Sequence, residues 1–299
     1  AAVCRGAESA GQGLEVAQLM ADYSNTELGK DTVYSTSYNP SLLDPIPRAT
    51  AREQLETVGG PLPDFIGVDL WTGFEVSWLN THGMPQVAIV EFLVPCTSVN
   101  IIESKSFKLY LNSFNQSQFE SQQAVQECMT ADLSAAAQGD VEIVFYQLAE
   151  YNGFRPVTEP QGHCLDQQHI AIDCYTPNPD FLALDKAGEK GETVTETLYS
   201  HLLRTNCPVT DQPDWASVYI SYQGAQIDRA GLLKYLVSFR QHQDFHEQCV
   251  EKIYADIMQR CQPAQLDVYA RYMRRGGLDI NPFRSSRYPF PPSHRQVRQ

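Results

Sequence analysis

The chain has 299 residues, 42% of them hydrophobic and 10% aromatic. That is enough for one large domain or two ordinary ones, and it excludes a disordered or collagen-like chain. With 22 basic against 36 acidic residues the net charge is −14, which disfavours nucleic acid or an anionic membrane as partner.

Residues 1–60 are polar and rich in turn formers, so an irregular N-terminal extension is expected, with one apolar helical patch at 14–20. No stretch approaches the ~18 apolar residues of a membrane span, and no secretory leader is visible. Residues 65–80 and 87–94 read as strands, the second apolar on both faces and therefore central. SFKLYLNSF (106–114) alternates and reads as a further strand, closing a hairpin through 95–100. The period then changes. Val125, Cys128, Met129 and Leu133 mark a helix over 116–138, with Gly139 as its stop. Residues 141–150 return to strand, an α+β order rather than a βαβ alternation.

Residues 176–192 carry two prolines and two glycines and form the best linker. The pattern then recurs. Strands are expected at 194–204 and 217–222, helices at 228–240 and 246–261, and a strand at 266–273. Two similar halves suggest a duplicated unit. The eight cysteines form no CxxC pair and read as reduced cytosolic thiols, most of them core residues.

Five segments carry candidate chemistry. In TNCPVTDQPDW (205–215) two prolines restrict a loop that holds Cys207 and Asp214 seven residues apart, a nucleophile with an acid–base group. The bland alternative is a buried cysteine and a turn aspartate. His246 and Glu247 open a helix and are placed to reach a pocket. A carboxylate there accepts two N–H groups of a guanine-like edge, or simply complements the helix terminus. Lys105 and Lys108 are candidate phosphate contacts or a guarded strand edge. The C-terminal arginines with Gly276 and Gly277 read as a local anion site or a basic tail. HCLDQQHIAIDC (163–174) holds zinc-competent residues, but its spacing fits no standard site. There is no GxGxxG and no P-loop.

Together these segments resemble the NADPH-dependent 7-cyano-7-deazaguanine reductases, the nitrile reductases of queuosine biosynthesis. Four motifs carry the resemblance: ESKSFKLYLNSF (103–114), NCPVTDQPDWASVYI (206–220), FRQHQDFHEQCVEKI (239–253) and YMRRGGLDINPFRS (272–285). They run in order over about residues 60–290, as in the long, two-module form of the family.

The resemblance implies a tunnelling fold in tandem, each module an antiparallel four-stranded sheet with two helices on one face. It places an N-terminal extension at 1–60, modules at 61–175 and 193–299, and a linker at 176–192. It implies Cys207 as nucleophile, Asp214 as its acid–base partner and His246 as an aid to proton transfer. It implies substrate contacts at Ile102, Glu103, Ser104, His246 and Glu247, and NADPH contacts at Ser104, Lys105, Arg275 and Gly276, with no metal. A cytoplasmic homodimer with a small-molecule substrate is expected. The reaction implied is four-electron reduction of the nitrile to an aminomethyl group through a thioimide on Cys207. An amidinotransferase of the same superfamily, a Cys–His hydrolase of the nitrilase type and a non-catalytic deazaguanine-binding protein remain alternatives. Dependence on NADPH separates the reductase from all three.

Overall fold

The computed structural model describes residues 34–208 and 210–299. In chain order the elements are β1 (Pro45–Pro47), α1 (Arg48–Gly59), β2 (Val68–Leu79), β3 (Pro85–Pro95), β4 (Asn100–Ile102), α2 (Ser104–Ser113), α3 (Gln122–Ala137) and β5 (Glu142–Tyr146). Then come α4 (Tyr151–Phe154), β6 (His163–Cys164), β7 (Thr193–Asn206), β8 (Pro213–Ala225), α5 (Arg229–Ser238), α6 (His246–Cys261), β9 (Gln265–Tyr272) and β10 (Leu278–Ser285). The fold is α+β. No helix among the described residues is long and apolar enough to cross a membrane.

One continuous sheet of eight strands runs β5-β3-β2-β10-β9-β8-β7-β6. It is antiparallel except where the two-residue β6 lies parallel to β7. β10 joins the halves: Leu278 to Pro282 pair with β2, and Phe283 to Ser285 pair with β9. The first half therefore supplies β2, β3 and β5 to a shared sheet, not a four-stranded sheet of its own. β4 pairs instead with β1 in a separate ribbon.

Alternate strand residues point to opposite faces. On one face, Val218, Ile220 and Val268 pack under α5 and α6 with Leu236, Ile253 and Ile257. Val90 and Phe92 pack under α2 and α3 with Phe107, Tyr110, Met129 and Leu133. Each fully buried side chain of this size contributes about 1.5–3 kcal/mol. The other face carries buried polar groups, among them Glu91, Arg271, Asp279 and Asn281. Segments outside the sheet cover it. Arg155 forks onto Glu91 with two 2.6 Å bonds, and the Gln299 amide donates to Asn281 Oδ1 at 2.8 Å.

Several expectations are corrected. SFKLYLNSF is the helix α2, not a strand, so no hairpin closes through 95–100. Glu103 caps it, accepting from the backbone N–H of Lys105 and Ser106 at 2.8 and 2.7 Å. Phe107, Tyr110 and Phe114 then fall on one buried helical face. α3 starts later than expected, at its Ser121 cap, and its left-handed terminal residue is Gln138 (φ 50°) rather than Gly139. Gly139 is needed for a different reason: a Cβ there would meet the Ser98 Cβ at 2.8 Å.

Residues 45–59 are strand and helix instead of irregular chain, whereas the patch at 14–20 lies outside the described residues. Residues 163–174 hold only a two-residue strand. The segment read as a basic tail contains the central strand β10. Its arginines disperse: Arg284 binds Asp69 and Glu251, Arg287 binds Asp267, and Arg295 binds Asn152.

Candidate active site

Two backbone clamps assemble the site. At the end of β7, Asn206 N–H donates to His242 O at 2.8 Å, and Asn206 O accepts from Asp244 N–H at 3.3 Å. Residue 207 is thereby held beside the start of α6. The β7–β8 register sets Thr205 opposite Asp214 and Asn206 opposite Pro213. The intervening turn closes on itself through Cys207 N–H to Gln212 O at 2.9 Å and Asp211 N–H to Cys207 O at 3.1 Å. Asp211 takes a left-handed φ of 55°, which aspartate tolerates. Asp214 is thus the second residue of a strand, not part of a loop.

The result is a small cavity of about 20 Å³, partly open to solvent. Among its lining residues are Ile102, Ser104, Cys207, Asp214, His246, Glu247 and Arg275. Cys207 is buried. Asp214 Oδ2 lies 3.3 Å from His246 Nε2, and its Oδ1 lies 3.5 Å from Arg275 Nη1. The imidazole stacks face to face on Tyr272, centroids 3.6 Å apart at 2°. Its Nδ1 is buried with no hydrogen-bond partner among the described residues.

Charge at the cavity is tuned by burial and neighbours. Burial alone would raise the Asp214 carboxyl. The His246 hydrogen bond and charge, with Arg275 and Lys108, outweigh it and hold the group below the usual carboxylate range. Glu247 goes the other way: burial first, and then the Asp69 charge, push it well up. Burial and Arg275 lower the Lys108 ammonium.

Three expected residues lie outside the lining: Glu103, Lys105 and Gly276. Glu103 is fully buried as the α2 cap, between the lining residues Ile102 and Ser104. Gly276 (φ 61°) sits in the turn closed by Arg275 N–H to Leu278 O, and a Cβ there would meet Lys108 Cδ at 3.2 Å. Among the described residues no cluster of three or more His, Cys, Asp or Glu is arranged to hold a metal.

Sequence reasoning missed Trp71, Pro208, Asp244, Phe245 and Ile280 in the lining, and Tyr272 beneath His246. Phe245 and Asp244 stood inside the quoted FRQHQDFHEQ motif. Ile280 and Tyr272 stood inside the quoted YMRRGGLDINPFRS motif, but Trp71 carries no local mark, because only the β2–β10 pairing brings it beside Ile280.

An α+β sheet that gathers a buried thiol, a carboxylate and an imidazole at one cavity defines a candidate for covalent nucleophilic catalysis. Comparison with known proteins narrows that class. The family model described as nitrile reductase, 7-cyano-7-deazaguanine-reductase N-term, matches residues 34–145, and the one described as QueF-like protein matches residues 213–289. An NADPH-dependent 7-cyano-7-deazaguanine reductase of Hahella chejuensis is 54% identical over 265 residues, 89% of this chain and 94% of that protein. A solved structure, the archaeosine synthase QueF-Like in the apo form, is 18% identical with a TM-score of 0.28, covering 32% of this chain and 96% of its own. The chain belongs to the NADPH-dependent 7-cyano-7-deazaguanine reductases.

Proposed function

We propose that this oxidoreductase reduces the nitrile of 7-cyano-7-deazaguanine by four electrons to 7-aminomethyl-7-deazaguanine, with NADPH as reductant, on the route to queuosine. The observation that carries the reading is the convergence of Cys207, Asp214, His246 and Glu247 on one cavity, in a chain 54% identical to a reductase of that name.

The Cys207 sulfur adds to the nitrile carbon, and the thiol proton passes through Asp214 to the nitrile nitrogen, giving a thioimide. Its C=N carbon is the better hydride acceptor. Hydride addition there breaks the C–S bond, leaves an imine and releases Cys207 as a thiolate, which takes up a proton through Asp214 to restore the thiol. Reduction of the imine and one further proton give the amine. His246, hydrogen-bonded to Asp214, leaves its Nδ1 free to exchange protons with the reacting nitrogen. The bound base itself would have to keep water from the imine between steps.

Glu247 takes the polar edge of the base, and Glu103, by capping α2, holds Ile102 and Ser104 at the rim. NADPH, when bound, supplies the two hydrides, one from each of two molecules. The residues present fit it: Lys105, Lys108 and Arg275 supply positive charge for its phosphates, and Gly276 leaves its backbone bare beside Lys108.

We infer that the halves are tandem modules at 61–175 and 193–299. Each packs two helices on strands of the common sheet over an apolar core, the first shared with Leu278 and Ile280 of the second half and the second with Leu165 of the first. A cytoplasmic homodimer fits this reading: β5 leaves one sheet edge open for a second copy, and a reducing compartment keeps Cys207 a thiol. The test is anaerobic turnover of 7-cyano-7-deazaguanine with NADPH. Two NADPH are expected per amine formed. Amidine or carboxylate product without NADPH loss overturns the reading.

A further inference from the structure

The sheet face turned away from the helices holds a second cavity, of about 410 Å³. That is within the ~300–1,000 Å³ of small-molecule pockets. Its floor is aromatic because alternate residues of β8, β9 and β10 point this way. Tyr219, Tyr269 and Phe283 pack there as one buried cluster. Its outer wall is the segment 288–292, whose Tyr288 and Phe290 remain half exposed. Prolines at 289, 291 and 292 restrict that strap and need no N–H partner. A slot between two aromatic walls suits a flat ring held by stacking and edge contacts.

The polar groups narrow the ligand further. Tyr219 is 7% exposed, lines the cavity, and its hydroxyl has no hydrogen-bond partner among the described residues. A buried donor left unmade is costly, so this one wants an acceptor. Asp267 also lines the cavity. Its Oδ1 accepts from Ser285 Oγ at 2.6 Å and its Oδ2 from Arg287 at 2.9 Å. Arg287 Nε adds a longer contact to each oxygen, at 3.5 and 3.3 Å, so a ligand N–H would share the carboxylate with that arginine. His294 stands at the wall, its imidazole pushed below the usual range by burial and by Arg271. No lysine or arginine lines the cavity, which disfavours phosphate or carboxylate ligands.

We propose that this cavity is a second ligand site, which takes an uncharged planar heteroaromatic ring bearing both N–H donors and an acceptor, of the kind an amino-substituted purine nucleoside presents. The site is on the opposite sheet face from Cys207 and does not depend on the reaction assigned there.

Calorimetric titration of the full chain with guanosine tests it. Saturable binding is expected. Tyr219→Phe should weaken it roughly three- to tenfold, the loss of one hydrogen bond. Its melting temperature should hold or rise, because the substitution removes a buried hydroxyl that bonds nothing in the protein. Phe290→Ala, on the exposed strap, should weaken binding at least as much, and Glu247→Gln, at the Cys207 cavity, should leave it unaltered. No saturable heat up to the solubility limit overturns the proposal. So does an affinity equal in wild type, Tyr219→Phe and Phe290→Ala, or one lost only in Glu247→Gln.

Discussion

Glu247 and Glu251 lie one turn apart on α6, both buried, and their carboxyls are driven in opposite directions. Glu251 is gripped by arginines: Arg284 at 2.7 and 3.0 Å, and Arg52 at 2.8 and 2.9 Å. Burial alone would raise it, but Arg284 foremost, then Arg52 and Arg48, bring it down to about 2. Glu247 has burial and the Asp69 charge against it and goes up. One carboxylate ties α1, α6 and β10 together. The other is held ready for a ligand that brings its own N–H donors.

The first prediction concerns Glu247. An acid raised by folding is protonated in both states below its ordinary value of 4.5, and it costs stability as pH rises from there through the raised value. Glu247→Gln should therefore melt with wild type at pH 4 and above it at pH 8. The same substitution removes a charged acceptor for the base, so KM should rise about 10- to 100-fold, matching ~1.5–3 kcal/mol. Thermal melts across pH, beside steady-state kinetics, separate the two effects. A variant less stable than wild type at pH 8 contradicts the assignment.

Glu251 predicts the reverse trend. A carboxyl lowered by folding adds stability above 4.5, and that stability is lost as pH falls toward about 2. Glu251→Gln should cost about 3–5 kcal/mol at neutral pH, since it leaves Asp69 as the carboxylate shared by the buried Arg284 and Arg48 and takes the ion pair from Arg52. The difference from wild type should shrink as pH falls below 4. Urea midpoints at pH 7 and pH 3 measure it, and an equal deficit at both refutes the ion-pair account.

The same helix shows what a sequence makes legible. Val250, Ile253, Tyr254 and Ile257 repeat at helical spacing and at no other, so the span 246–261 was readable, as was the pairing of Cys207 with Asp214 in one motif. α2 was not. Phe107, Leu109 and Leu111 alternate as a strand does, while Phe107, Tyr110 and Phe114 repeat as a helix does. The Glu103 cap decides between them, and reading that glutamate only as a substrate contact hid its local role. β10 was hidden for another reason. It is a central strand with Asp279, Asn281 and Arg284 buried, so its polarity imitates a solvated tail. Its partners, Asp69 on β2 and Glu251 on α6, are distant in sequence and leave no local pattern.

Covalent chemistry at Cys207 is tested without turnover. Mixing protein and 7-cyano-7-deazaguanine in the absence of NADPH should add the full mass of the nitrile, because thiol addition loses no atoms. Cys207→Ala should show no adduct, and peptide mapping should place the wild-type adduct on residue 207. An adduct retained in Cys207→Ala assigns the nucleophile elsewhere.

Asp214 and His246 join β8 to α6 through a 3.3 Å contact, and the stack on Tyr272 fixes the plane of the imidazole. Asp214 is held below the usual carboxylate range, so it is ionised at neutral pH, the state the proposed cycle requires of a base. Asp214→Asn keeps the shape but carries no proton, and should lower kcat about 10²- to 10⁴-fold, the worth of a positioned acid–base group. Tyr272 acts through His246. Tyr272→Phe preserves the ring and should retain most activity, whereas Tyr272→Leu removes the stack and should lower kcat with little change in KM. The adduct assay separates the roles. If Asp214 moves the first proton, thioimide formation slows in Asp214→Asn as much as turnover does. If it slows only turnover, its proton transfer belongs to the later reduction steps, and another group must deliver the proton to the nitrile nitrogen.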